Sequence, residues 1–271
     1  MIVGGVDVGS TETKAVLMDE NRRVLGRGQI STGANVVRAA EQAFASALDQ
    51  AGLSEHEAGW VVGTGYGRYR VLFGDEQVTE IGCHARAAAW AFPGTRTILD
   101  IGGQDTKAIR VTAQGEVVEF SMNDKCAAGT GRFLAAAAEV MGLTLDQIGP
   151  ASLKADKPIR ITNVCTVFVE SEIMSHLSRG RRMEEILAGV HAAIAGRSAG
   201  LLCRVGVEPE LTFTGGVSRN AGMVKAIEEK LGIQVNVSPD SQFMGAIGAS
   251  LYAMDRLASG ARRGAPAGGR A

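Results

Sequence analysis

The feature that most constrains the fold is a repeat inside the chain. Residues 7–16 read DVGSTETKAV and residues 100–109 read DIGGQDTKAI, at an offset of 93 positions. Asp, Gly, Thr, Lys and Ala match, and Val and Ile exchange twice. Apolar runs bounded by turn residues are the strand–hairpin signal. Around the first copy they predict strands over 2–6, 15–18 and 24–30, and around the second over 97–99, 108–111 and 117–122. Polar turns stand at 19–23 and 112–116. Two copies of one supersecondary unit imply two related domains with a boundary near 93–96. Chance likeness of two glycine turns would not repeat the strands on both sides.

The 28 Lys and Arg against 29 Asp and Glu give a formal charge of −1, neither a basic footprint for nucleic acid nor an acidic tail. Apolar residues at 45% and charged ones at 21% fit a globular chain, and no apolar run approaches the ~18 residues of a membrane span. The start, MIVGGVDVGS, has no basic region followed by a long apolar one, which predicts a cytoplasmic protein. In that reducing setting the four cysteines, Cys83, Cys126, Cys165 and Cys203, argue against a disulfide framework and leave packing, metal or redox chemistry. Aromatics at 5% mean cores built from Ala, Val, Ile and Leu.

Between the copies the pattern predicts a helix over 36–51 ended by Gly52, a strand over 60–63, the turn Thr64-Gly-Tyr-Gly-Arg68 and a helix over 79–91. After the second copy it predicts helices over 127–141, 166–178, 183–203, 219–231 and 241–257, with strands over 211–214 and 234–237. Residues 258–271, rich in Gly, Ala, Pro and Arg without periodicity, are expected to be a disordered tail.

An Asp-x-Gly turn between two strands suits phosphate. Gly9 and Gly102 let the backbone approach a polyphosphate and turn N–H groups towards it, and Ser10 and Thr11 add hydroxyls. Asp7 and Asp100, each ending a strand, can hold a hydrated Mg²⁺. The plain alternative for Asp7 is a carboxylate that caps its own turn. Gln104, at the place of Thr11 in the second copy, suits orienting an attacking water. Lys14, Gly103 and Asp105 complete the candidate nucleotide set on the two turns. A third glycine turn, Leu211-Thr-Phe-Thr-Gly-Gly-Val-Ser-Arg-Asn220, joins a strand to a helix. There Gly215 and Gly216 allow a flat base and ribose against the backbone and Asn220 offers polar contacts; an ordinary strand-to-helix turn is the alternative. No Gly-x-x-x-x-Gly-Lys-Ser/Thr is present, so the P-loop class is excluded.

Two phosphate turns, an adenosine turn and a closing small-residue helix (residues 241–251) resemble the actin-like ATPases, the superfamily of sugar kinases and heat-shock chaperones, over residues 2–257. The resemblance implies an α/β, actin-like (ribonuclease H-like) ATPase fold: two duplicated α/β domains with a nucleotide cleft between them. The domains expected are residues 1–95 and 96–257, with the last helix packing back on the first.

Cys126 and Cys165 each stand directly before a predicted helix, 39 positions apart. A thiol at a helix N-terminus feels the positive end of the dipole, which favours the thiolate and an anionic metal–sulfur centre. A cubane cluster takes four thiolates, and two chains meeting on a two-fold axis would supply them. Buried structural cysteine is the other reading of the same residues. Cys83 and Cys203, on helices of small or apolar residues, are expected to pack in cores. His84 is expected to hydrogen-bond rather than to ligate, and Glu170 and Glu172 to meet a partner or the solvent.

The motifs Asn123-Asp-Lys-Cys-Ala-Ala-Gly-Thr-Gly-Arg-Phe133, Cys165-Thr-Val-Phe-Val-Glu-Ser-Glu172, Asp100-Ile-Gly-Gly-Gln-Asp105 and Gly63-Thr-Gly-Tyr-Gly-Arg68 closely resemble the activator ATPases of 2-hydroxyacyl-CoA dehydratases. The ATPase subunits of benzoyl-CoA reductases share much of the pattern. The resemblance implies a homodimer with one [4Fe–4S] cluster between its subunits, held by Cys126 and Cys165 of each. It also implies ATP/ADP and Mg²⁺ as ligands, and an archerase-type activity in which ATP hydrolysis drives a low-potential electron to a dehydratase or reductase partner. A ferredoxin or flavodoxin would recharge it; no nucleic acid or membrane partner is expected. A small-molecule kinase on the same fold, colourless and forming a phosphorylated product, is the competing enzyme reading. A nucleotide-dependent interaction module without redox work is the third.

Overall fold

A computed structural model of the chain describes residues 1–162 and 165–260. Its first half runs β1 (Ile2–Val8), β2 (Glu12–Asp19), β3 (Val24–Ser31), α1 (Val36–Ala51), β4 (Ala58–Thr64), β5 (Glu76–Gln77) and α2 (Glu80–Ala91). Then come β6 (Thr97–Ile101), β7 (Thr106–Val111), β8 (Val117–Asn123), α3 (Gly131–Val140), α4 (Leu145–Ser152) and α5 (Thr166–Ser178). The chain continues through α6 (Met183–Val205), β9 (Leu211–Thr214), α7 (Ala221–Leu231), β10 (Val235–Asn236) and α8 (Met244–Ala258). Asn163 and Val164, directly before the second cysteine motif, and residues 261–271 of the expected tail lie outside the described residues. The chain divides into two units, one of Met1–Ala87 with the described residues from Phe243 on, the other Ala88–Gln242. The division falls within α2, between Ala87 and Ala88, rather than at 93–96, although α2 itself ends at Ala91, before Pro93.

The repeat is a duplication of topology. The first unit's sheet has the order β3-β2-β1-β4-β5 and the second's β10-β9-β6-β7-β8, the same arrangement with β6 in the place of β1. In each, an antiparallel three-strand meander lies beside two parallel strands. The registers agree residue by residue. Asp7 stands opposite Lys14 and Thr64, and Asp100 opposite Lys107 and Thr214.

In the first unit, successive glycines of β1 show how its sheet is covered. A Cβ on Gly4 would meet the ring of Phe44 in α1, and one on Gly5 would strike the backbone of Ala246 and Ser250 in α8. Adjacent strand residues face opposite ways, so α1 and α8 cover opposite faces. The core between sheet and α1 holds Val6, Leu17, Ala43, Phe44 and Val61. The second unit packs Leu99, Phe133, Ile148, Ile173, Ile194 and Phe213 into one cluster. Its α6 is the one helix among the described residues long and apolar enough to cross a membrane, and most of that stretch is buried in the unit.

The helix over 36–51 and the helix over 166–178 stand where the pattern placed them. α4 was not expected; Thr144 and Gln147 form a capping box, and α6 and α7 pack on the helix despite its Gly149-Pro150 pair. α3 begins at Gly131, four residues later than 127, because Gly129 adopts φ +89° and the Thr130 N–H and hydroxyl close a turn on the Ala127 carbonyl. α7 begins at Ala221 and α8 at Met244, each after a short 3-10 turn.

Candidate functional site

Each unit carries one phosphate-type hairpin, closed in the same way. Gly9 N–H donates to the Glu12 carbonyl at 3.2 Å, and Gly102 N–H to the Asp105 carbonyl at 3.0 Å. A Cβ on Gly9 would sit 2.7 Å from that Glu12 backbone oxygen, so the first turn needs glycine, and one on Gly102 would sit 2.6 Å from Asp105 Oδ1 and displace that side chain. A neighbouring segment then takes the turn's carbonyls. In the first unit the Thr32 hydroxyl donates to the Gly9 carbonyl at 2.8 Å and the Thr32 N–H to that of Thr11 at 2.9 Å. In the second, the first amides of α3 do so: Gly131 N–H to Gly102 and Arg132 N–H to Gly103, both at 2.9 Å. With their carbonyls occupied, the turns keep N–H groups to offer. Among the described residues those of Ser10, Thr11, Gly103 and Gln104 take no backbone acceptor.

The two aspartates differ in their surroundings. Asp100 is buried, its Oδ1 accepting from the Thr214 hydroxyl at 3.0 Å and its Oδ2 facing Lys107 Nζ at 3.4 Å. Lys107, 2% exposed, also donates to Asp105 at 2.8 Å. Asp7 is half-buried, with the Cα atoms of Gly65 and Gly245 against its carboxylate oxygens and His84 Nε2 close to the same Gly245. Lys14 is buried too, but pairs with Glu12 at 2.8 Å. The reading of the sequence missed Lys107 and Thr214. Lys107 is the 93-residue counterpart of Lys14 and was accessible through the repeat; Thr214 is brought in only by the pairing of β6 with β9.

That pairing extends the duplication to a second loop. Thr64-Gly65 follows β4 as Thr214-Gly215 follows β9, and the two glycines have φ +88° and +86°. A Cβ on Gly215 would lie 2.6 Å from Asp100 Oδ1, as one on Gly65 would crowd Asp7 Oδ1. Gly216 has open space at its Cβ position, which leaves room for a flat group against the backbone. Asn220 does not present its carboxamide oxygen to that space: the oxygen caps α7, accepting from Met223 N–H at 3.1 Å. Ordinary helix capping accounts for that side chain.

Cys126 lies on the loop between β8 and α3, five residues before the helix, and its thiol is exposed rather than seated at the helix N-terminus. The Asn123 amide holds the loop by donating to the carbonyls of Cys126 and Ala128 at 2.8 and 3.2 Å. Cys165 is the N-cap of α5, half-buried, with the N–H groups of Phe168 and Val169 on its carbonyl. Glu172 reaches back from α5 to accept from the N–H and hydroxyl of Thr162, both at 2.8 Å, and so ties down the segment leading into the cysteine. The α3 and α5 helices pack on one another. Val167 and Phe168, directly after Cys165, are 69% and 60% exposed. Cys83 is a core residue: burial pushes its thiol up to about 12, the nearby Asp7 and Glu80 adding to the shift and a bond with Thr64 opposing it. Cys203 is not; it is exposed near the end of α6, while Leu202 and Val205 are buried. Among the described residues no three His, Cys, Asp or Glu side chains converge to hold a metal ion.

The model of the BadF/BadG/BcrA/BcrD ATPase family matches residues 5–253. The chain is 42% identical to the activator of lactoyl-CoA dehydratase from Anaerotignum propionicum, over 93% of this chain and 96% of that one. It is 33% identical to a benzoyl-CoA reductase subunit of Thauera aromatica, over 97% and 96% of the two chains. The solved structure of the activator of 2-hydroxyisocaproyl-CoA dehydratase from Clostridium difficile, with bound ADPNP, superposes with a TM-score of 0.92 at 38% identity, covering 96% of this chain and 97% of the other.

Proposed function

The chain belongs to the BadF/BadG/BcrA/BcrD ATPase family, and from that membership we propose that it is the ATP-hydrolysing activator of a 2-hydroxyacyl-CoA dehydratase. The observation that carries this reading is the near-full-length likeness to dehydratase activators, at higher identity than to the benzoyl-CoA reductase protein. In each unit the hairpin amides bind phosphate oxygens. In each unit the aspartate beside the hairpin, Asp7 or Asp100, would face a hydrated Mg²⁺ accompanying the phosphates, and the oxygens of Asp100 already serve Thr214 and Lys107. Gln104 orients the attacking water, and the open face of Gly216 takes the base.

The finer part of the proposal is the redox centre. Cys126 and Cys165 fit thiolate ligation: both are accessible, on segments held by Asn123 and Glu172, whereas the buried Cys83 stays protonated. A [4Fe–4S] cluster bound there supplies a one-electron centre of low potential. One chain offers two thiols of the four required, so the reading includes a second copy. The exposed Val167 and Phe168 beside Cys165 give that copy an apolar surface to cover. The protein then couples ATP hydrolysis to electron delivery, is recharged by a ferredoxin or flavodoxin, and works in the cytoplasm.

Anaerobic purification followed by an assay with a lactoyl-CoA dehydratase tests this. The expected result is a brown protein with about four irons per two chains that activates the dehydratase only with ATP. Cys126→Ser and Cys165→Ser should each lose iron and activation. A colourless protein after reconstitution, or activation that survives Cys126→Ser, overturns the redox reading. Activation of a benzoyl-CoA reductase instead of the dehydratase selects the second relative's role.

A further inference from the structure

The two hairpins are copies in sequence and register, yet they use their lysines differently. Lys14 stands opposite Asp7 across β1 and β2, and Lys107 opposite Asp100 across β6 and β7. Two positions before each lysine is an acid, Glu12 in the first copy and Asp105 in the second. Glu12 is longer by one methylene. Its side chain is 38% exposed and draws the Lys14 ammonium to 2.8 Å. Asp105 is shorter and only 24% exposed, and it holds Lys107 at 2.8 Å while the same ammonium stays 3.4 Å from Asp100. Lys107 therefore spans two carboxylates, one near the end of β6 and one in the turn that follows.

That turn carries Gln104. The Asp105 carbonyl closes it by accepting from Gly102 N–H at 3.0 Å, and the Asp105 carboxylate lies against Gly102. The Gly103 carbonyl is taken by Arg132 N–H at 2.9 Å. On the other side of the lysine, the Thr214 hydroxyl fixes Asp100 at 3.0 Å. Each of these bonds has one end in the backbone or in a buried side chain, so the Lys107 bridge joins two groups that are already held. With a side chain 2% exposed, Lys107 has almost no surface to offer a phosphate. A buried ammonium set between carboxylates is a fixed point, since leaving either would strand a charge.

We propose that Lys107 is a positioning residue for ATP hydrolysis: by tying Asp105 to Asp100 it sets the turn from which Gln104 meets the attacking water. Water adds to the γ-phosphorus and ADP leaves; Lys107 gives and takes no proton in that step. The short side chain at residue 105 is what allows the bridge, and it makes the hairpins unequal. The first contributes amides to the phosphates, and the second also fixes the geometry of attack. This assignment builds on Asp100 and Gln104 serving hydrolysis.

Steady-state ATP hydrolysis and ADP binding by calorimetry, on the full-length protein, test it with Lys107→Met, Asp105→Glu and Gln104→Ala. A misplacement of about 1 Å at a reacting centre can cost a factor of ~10² in rate. Lys107→Met should lose kcat on that scale, with KM for ATP and the ADP dissociation constant changed by less than about threefold. Asp105→Glu keeps every charge and lengthens the side chain to that of Glu12; it should lower kcat by roughly tenfold with the same split. Where Lys107→Met does not fold, Asp105→Glu carries the test. A rise in KM and in the ADP constant at unchanged kcat makes Lys107 a direct phosphate ligand and overturns the proposal. Wild-type kcat in Asp105→Glu overturns it as well. Gln104→Ala separates the two readings: if it is as fast as the wild type, the reading of the site fails and this one with it. A slow Gln104→Ala beside a fast Lys107→Met defeats this one alone.

Discussion

Asp100 enters the core of the second unit in the company of Lys107 and Thr214, and that company is what lets a charge stay there. His191 has entered the same unit without such help, and its stability should show it. Its folded value of about 4 lies below the usual 6.5, so between those values the unfolded chain binds the proton and the fold does not. Stability is then full above pH 6.5 and falls as the pH drops towards 4, by about 3 kcal/mol at most. Urea midpoints of the wild type and His191→Gln, measured from pH 7 to 4.5, should diverge over that window; parallel profiles would mean that burial does not lower the His191 value. Residues of this kind were only partly legible in the sequence. Asp7, Asp100 and the turn glycines follow from the repeat, because a local motif is its own evidence. The carboxylate's partner Thr214 stands 114 positions away and is reached only through a strand pairing, which no local pattern carries. Cys203 looked like a core residue because its helix is apolar nearly all round; only the packed structure shows which side faces out.

Elements were more legible than residues, and the exceptions have physical causes. The strands around each hairpin and the helices α1 and α5 are set by hydrophobic period and by Gly52 or Cys165 at their ends. The late start of α3 is set by a turn at Gly129, and α4 survives its Gly-Pro pair because its neighbours pack on it. Glycine also sets how closely elements approach. A methyl group on Gly248 of α8 would fall on the backbone carbonyl of Cys83 in α2, and that carbonyl has no flexible end to move aside. Gly248→Ala must therefore part the two helices, at a cost of about 3 kcal/mol and about 5 to 10 °C in Tm. A thermal scan that shows no loss would mean that α2 and α8 are not in this close register.

At the scale of the molecule, the first unit is discontinuous, since its sheet and α1 come from the start of the chain and α8 from its end. Deleting the chain from Met244 on uncovers the face of β1 and β4 that α8 packs against. Hydrogen exchange on the truncated protein should keep protection in β6 and β7 and lose it in β1 and β2; protection retained in β1 would show that the unit stands without its last helix. The sequence had suggested that the closing helix returns to the first domain, whereas the division within α2 falls inside a continuous helix and has no local signal. That discontinuity also has a consequence for synthesis. On the ribosome, residues 88–242 must be made before the first 87 can be covered, a wait on the order of 10 to 30 s at ordinary elongation rates. During that interval Val3, Val62 and their neighbours form a sticky nascent surface, a substrate for chaperones, while the later-made unit is free to finish first.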